Sequence, residues 1–149
     1  MSKQKNLCII SDCHGCFNTF LALLDRARAE WGDFDLHLAG DLIDRGPRSR
    51  EMVEYAMQNK IPTVCGNHED LCLAYSVHQK MGYNGKCPKY YEQDIWLING
   101  AIQTLESWSV DWGNRQGLPR NVLDWMKSLP AYIIPDAELD ENGRKLLIS

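Results

Sequence analysis

Three short apolar runs, each broken off by a polar or glycine-acid cluster and separated by helical stretches, constrain this 149-residue chain more than any other feature. Leu7 to Ser11 is the first, and its end at Ser11 and Asp12 suits a buried strand. Phe17 to Trp31 then sets Phe20, Leu21, Leu23, Leu24 and Ala27 at helical spacing, and Gly32 closes the segment. Asp35 to Ala39 reads as a second strand stopped by Gly40 and Asp41, and Arg48 to Asn59 as a second helix. Pro62 to Cys65 reads as a third strand stopped by Gly66 and Asn67, followed by a helix over Glu69 to Lys80. Strand and helix alternating three times is the pattern of parallel β-α-β units. Ligands of such sheets bind where loops leave the carboxyl ends of adjacent strands. The three exits fall at Asp12, Gly40 and Gly66.

The remainder is less constrained. Residues 81–92 read as a surface loop, 94–108 and 119–129 as helices, and 131–134 with 144–148 as a hairpin around a turn at 136–143. The length suits one domain over 1–149. A net charge of −4 supplies no basic stripe, so no nucleic-acid partner is expected, although bound cations could still invite a phosphorylated substrate. No apolar run is long enough to span a bilayer, and Met1 to Asn6 leads into only four apolar residues, unlike a signal peptide. A cytoplasmic location without membrane contact is the expectation, and the six cysteines are then expected to be reduced. Cys13 and Cys16 match the C-x-x-C redox spacing, but the preferred reading is that they only flank His14.

The chemistry concentrates at the three exits. Asp12-Cys13-His14-Gly15 offers a carboxylate and an imidazole; if the segment is extended, these alternate residues project together and can reach one metal ion. Gly40-Asp41-Leu42-Ile43-Asp44-Arg45-Gly46 and Gly66-Asn67-His68-Glu69 add carboxylates, an amide and a second imidazole. A donor set of nitrogen and oxygen without thiolate suits Mn, Fe or Zn rather than a structural zinc site. Singly, Asp12 or Asp41 reads more readily as a helix cap than as a ligand, His68 could be a helix-start residue, and Asp44 with Arg45 a solvated pair. Three such blocks at successive strand exits, each with a neighbouring glycine, favour a shared site.

These blocks resemble the signatures of calcineurin-like metallophosphoesterases in the phosphoprotein-phosphatase branch. Cys16, the run from Trp96 to Gly100, and Leu129-Pro130 resemble the lambda-type serine/threonine protein phosphatases. The resemblance implies an α/β fold: a mixed β-sandwich flanked by helices. It implies two divalent cations, Mn first with Fe or Zn as alternatives, held by Asp12, His14, Asp41 and Asn67, with Asp41 bridging. His68 would act as general acid oriented by Asp44, Arg45 would grip the phosphate, and Asn67 and His68 would also touch it. The implied reaction is hydrolysis of a phosphorylated protein or small phosphoester by in-line attack of a metal-bound water. A symmetrical dinucleoside-tetraphosphatase resembles the same blocks and is the alternative. Two departures stand out. Cys65 occupies the place of an arginine that the family uses for phosphate. The chain also reaches Ser149 before two further histidines of the family pattern, so it resembles the N-terminal two-thirds of the fold, incomplete at the C-terminus. A non-catalytic metal- or phosphate-binding remnant is therefore the rival reading, and oligomeric state is left open.

Overall fold

The computed structural model describes residues 6–81, 95–111, 117–135 and 148, with backbone alone at 77–81. It is α/β, as expected. Strand β1 (Asn6–Ile10) pairs in parallel with β2 (Phe34–Leu38), in register Asn6 to Phe34 through Ile10 to Leu38. Helix α1 (Phe17–Trp31) connects them. It buries Phe20, Leu24 and Ala27, one face at spacings of four and three residues. Leu23, counted above with that apolar set, is instead 48 % exposed, because it points away from that face. Gly32 ends the helix with φ +74°.

Helix α2 (Ser49–Gln58) buries Met52, Val53 and Ala56, and α3 (Asn67–Met81) follows after the third strand exit. The expected third strand contracts to one parallel bridge, Thr63 beside Leu38. The Leu38 amide donates to the Pro62 carbonyl (2.9 Å) and the Val64 amide to the Leu38 carbonyl (3.0 Å). Pro62 has no amide to extend the ladder, and the Cys65 amide turns away to the Pro130 carbonyl (2.9 Å). Helix α3 begins at Asn67 rather than at Glu69, so Asn67, His68 and Glu69 form its first turn.

The single helix expected over 94–108 is bent. A wide helical turn, Leu97–Ala101, carries Gly100 at φ +103° and leads into α4 (Ile102–Ser107). A side chain at Gly100 would lie 2.6 Å from the Arg45 amide, whose N–H donates to the Gly100 carbonyl (3.1 Å). The bend is thus where this helix lies against the second strand exit. Helix α5 (Arg120–Ser128), entered through Pro119, buries Val122, Leu123 and Met126. Of the expected hairpin, Ile133 and Ile148 exchange both backbone hydrogen bonds (2.8 and 2.9 Å) as an antiparallel pair. Its turn, and most of the 81–92 loop, lie outside the described residues. Leu38, Leu42, Ile43, Met52, Val53, Trp96, Leu105 and Met126, all essentially inaccessible, form the core directly beneath the strand exits.

Candidate active site

The first two strand exits are laced together by backbone. The amides of Asp12, His14 and Gly15 donate to the carbonyls of Gly40 (3.2 Å), Asp41 (2.9 Å) and Leu42 (2.8 Å), and the Gly46 amide returns to the His14 carbonyl (2.9 Å). This lacing is not extended chain, contrary to the geometry assumed for Asp12 and His14. Asp12, His14, Asp41, Asp44 and Arg45 have φ of 55°, 42°, 55°, 73° and 67°. Left-handed backbone at a residue with a Cβ costs energy, roughly 1–3 kcal/mol each where it is strained, and persists only where surrounding bonds over-determine it. Asp and His are among the residues that tolerate it best. Asp12 and His14 still reach one another, with Oδ1 to Nε2 at 3.8 Å.

The second and third exits are joined by Glu69. Its Oε1 accepts from the Leu42 amide (2.8 Å), and its Oε2 from the amides of Asp41 (2.9 Å) and Gly66 (3.0 Å). With Gly66 just before the first turn of α3, Glu69 reaches back as the acid of a capping box does. The other half of the box comes from across the fold: Asp41 Oδ1 accepts from the His68 amide (3.0 Å). Asp41 is therefore a cap, but of α3 rather than of a helix following it. Glu69 is wholly buried. Burial pushes its carboxyl above the ordinary range, while the three amide bonds pull it down. No role was assigned to Glu69 from the sequence, although an acid three residues after a helix-start glycine was a readable signal.

A Cβ at Gly66 would fall 2.2 Å from Asp41 Oδ1 and 2.4 Å from the Asp41 amide. The glycine leaves space that the carboxylate fills. Gly66→Ala should cost about 1–3 kcal/mol by overpacking and displace Asp41, lowering both the melting temperature and Mn²⁺ uptake in a titration. Wild-type values for both would refute this account of the glycine.

The general-acid candidate is fully built. His68, 2 % exposed, donates from Nδ1 to Asp44 Oδ2 at 2.7 Å. The same oxygen accepts from Trp96 Nε1 (2.8 Å), while Oδ1 accepts from the Thr104 hydroxyl (2.6 Å). The Asp44 amide lies 2.8 Å from Thr104 Oγ1 and 3.2 Å from Ser49 Oγ. Burial raises the Asp44 carboxyl above the usual carboxylate range, opposed by its bonds to Thr104, His68 and Trp96. Asp44 is thus a buried acceptor with three donors around it, from His68, Trp96 and Thr104, not a solvated partner of Arg45. Trp96, fully buried, both packs and orients this acid. Thr104 and Ser49 carried no sequence signal for their part.

One donor atom each from His14, Asp41 and His68 lies within 4.8 Å of the others. His14 Nδ1 is 2.8 Å from the Ile43 carbonyl, which places its proton there and leaves the Nε2 lone pair facing the cluster. A hydrogen bond from the far ring nitrogen to a backbone carbonyl is what orients metal-ligating imidazoles. The Arg45 guanidinium supplies positive charge to these nitrogens, with Nη1 2.7 Å from His14 Nε2 and Nη2 3.1 Å from His68 Nε2. Imidazole and carboxylate donors converging on one point fit a divalent cation of the Mn, Fe or Zn kind. Of the other expected ligands, Asp12 is exposed on the first exit, 3.8 Å from His14 Nε2, and Asn67 is exposed on the first turn of α3; the His14–Asp41–His68 group includes neither.

Among the described residues no cysteine belongs to the donor group. Cys13 is buried, Cys16 is exposed, and both are free thiols. Burial, reinforced by Asp12, pushes the Cys13 thiol up to about 12. Cys13 should therefore remain protonated at pH 8 and escape alkylation by iodoacetamide in the native protein. Mass spectrometry showing Cys13 modified as fast as in urea would restore the redox reading. His37 is buried on β2, its Nδ1 has no hydrogen-bond partner among the described residues, and it does not belong to the donor group; the side chain of His78 lies outside the described residues.

With parallel strands that end at a histidine–carboxylate cluster, the chain belongs to the calcineurin-like phosphoesterase family, whose model matches residues 5–145. Membership implies divalent metal binding. The chain is 29 % identical over 126 residues, 83 % of its own length, to a symmetrical bis(5'-nucleosyl)-tetraphosphatase of Neisseria meningitidis, of which it covers 38 %. It is 36 % identical over 86 residues, 56 % of its length, to the enzyme of the same name from Buchnera aphidicola, of which it covers 30 %. It superposes on the crystal structure of a metallophosphoesterase from Sphaerobacter thermophilus with a TM-score of 0.50 and 23 % identity, over 89 % of this chain and 44 % of that one. The chain thus spans less than half the length of these relatives. Both enzymes matched by sequence are named symmetrical tetraphosphatases, and neither is named a lambda-type protein phosphatase. Among the described residues no helix is long and apolar enough to cross a membrane.

Proposed function

We propose that this chain hydrolyses the phosphoanhydride of dinucleoside polyphosphates, with symmetrical dinucleoside tetraphosphates as the substrate class. Asp12, His14, Asp41 and Asn67 hold a pair of divalent cations, and His68, Asp44 and Arg45 serve the phosphate. The observation that carries the proposal is the convergence of His14, Asp41 and His68 within 4.8 Å beside a buried Asp44–His68 pair. The names of the relatives favour an anhydride over phosphoserine. So does Cys65, where a protein phosphatase would place an arginine.

Cations at this cluster supply Lewis-acid activation of water and of a phosphoryl oxygen. The remaining work falls to the chain's own groups. A new bond forms from water oxygen to phosphorus, and the bridging P–O bond breaks, its electron pair leaving with a nucleoside diphosphate. The attacking water's proton passes to solvent. When protonated on Nε2, His68 hands that proton to the departing oxygen, while Asp44 holds Nδ1 and stabilises the imidazolium. The Arg45 fork binds phosphate oxygens in two places at once, as a lysine could not.

A second reading, phosphoserine or phosphothreonine hydrolysis, keeps one observation in its favour. An acid as firmly anchored as His68 is most useful to an alkoxide, a poorer leaving group than a diphosphate. Incubation with Mn²⁺ and either diadenosine tetraphosphate or a phosphoserine peptide separates them. ADP as the sole nucleotide product, formed faster than phosphate from the peptide, is expected. Peptide turnover alone would transfer the proposal to the second reading. Turnover of neither substrate, with metal bound, would make the chain a binding module.

A further inference from the structure

We infer that Arg45 is a latch, closing the metal site and the general acid together until a phosphate draws it away. The inference takes His14 as a metal ligand from the proposed function and goes beyond it in giving Arg45 a role before any substrate arrives. The argument begins with lone pairs. Neutral imidazole has one acceptor nitrogen. With His14 Nδ1 committed to the Ile43 carbonyl and His68 Nδ1 committed to Asp44, only the two Nε2 atoms can accept or bind anything else. Both accept from the same guanidinium, Nη1 at 2.7 Å and Nη2 at 3.1 Å. A cation on His14 Nε2 must break the first of these bonds. A proton on His68 Nε2, which the acid needs, must break the second.

The geometry makes this pairing specific. The imidazoles meet edge to face, with centroids 4.6 Å apart at 75°, so their Nε2 atoms are presented side by side to one planar fork. The backbone holds Arg45 in place: φ is +67°, and its amide is tied to the Gly100 carbonyl at 3.1 Å. Arg45 is nonetheless exposed, so a phosphate arriving from solvent can reach its guanidinium. The same five N–H donors that engage two imidazoles match phosphate oxygens. Exchange of neutral acceptors for an anion is favourable, because the guanidinium then faces full opposite charge and can bind it bidentately. Phosphate binding therefore releases both nitrogens, and linkage requires that metal binding promote phosphate binding in return.

The test measures Mn²⁺ affinity of the 149-residue chain by calorimetry without phosphate, for wild type, Arg45→Met and Arg45→Lys. Losing the one hydrogen bond that the cation must displace should tighten Mn²⁺ binding by about two- to twelvefold in Arg45→Met. Removing a positive charge would also tighten binding, and Arg45→Lys separates the two causes. It retains the charge but cannot bridge both nitrogens, so it should still bind Mn²⁺ more tightly than wild type. Nitrogen-15 spectra of metal-free wild type should show His14 and His68 both protonated on Nδ1, with the Nε2 resonances of both shifting in Arg45→Met. Arg45→Met binding no more tightly than wild type, or Arg45→Lys equal to wild type, overturns the latch. His14→Ala binding Mn²⁺ as wild type does would instead remove the metal assignment, a failure distinct from that of the latch.

Discussion

Glu69→Ala should cost the protein about 3–5 kcal/mol of stability and abolish Mn²⁺ binding in the fraction that still folds. The magnitude follows from three backbone amides, those of Asp41, Leu42 and Gly66, that lose their acceptor together. A buried donor left without a partner costs about 1–3 kcal/mol, and neighbouring losses of this kind do not add in full. The loss of metal follows because Glu69 sets the spacing between the loop that carries Asp41 and the helix turn that carries His68. Glu69→Gln keeps the volume and one carbonyl oxygen, so it should fall between Ala and wild type. Chemical denaturation gives the stability and calorimetry the metal. A Glu69→Ala protein as stable as wild type would show that water replaces the carboxylate, and that the two loops hold their spacing without it.

The second large effect belongs to His68. His68→Asn keeps a polar side chain on the first turn of α3 but removes the Nε2 proton donor. Its loss should slow hydrolysis by about 10²–10⁴-fold where the leaving group needs a proton. The dependence on leaving group is the informative part. Phenyl phosphate should suffer the full loss and para-nitrophenyl phosphate a much smaller one, while Mn²⁺ affinity stays near wild type. A nucleoside diphosphate leaves readily, so diadenosine tetraphosphate should resemble the nitrophenyl ester. Equal losses on all three would mean that His68 acts in binding or as a ligand, and the role of general acid would pass elsewhere. Asp41→Asn offers the contrast, since it should lose metal and turnover together on every substrate.

Much of the site was legible in the chain because its pieces sit at the ends of short apolar runs, where period and punctuation are clear. The expected loops around Asp12, Gly40 and Gly66 do meet, and His14, Asp41 and His68 converge among them. Glycine beside each block was a sound signal, since the space a Cβ would need at Gly66 is taken by Asp41. Other features were beyond one-dimensional reading. The third strand is a single bridge because Pro62 lacks an amide and Cys65 pairs with Pro130, a partner 65 residues away. Asp12 and His14 approach one another, at 3.8 Å, through left-handed backbone rather than through strand alternation.

The amino-acid sequence by itself determined the alternation of strand and helix, the three exits and the kinds of donor atom offered there. These follow from local hydrophobic period and from the residues that stop it. Tertiary structure alone decided how those atoms are held. Asp44 receives Trp96 and Thr104 from a bent helix 52 and 60 residues further on. Asp41 caps a helix that begins 26 residues after it. Arg45 joins two histidines from different loops. Hydrogen bonds depend on distance in space and carry no period along the chain, so partners of this kind become visible only once the core has brought the loops together.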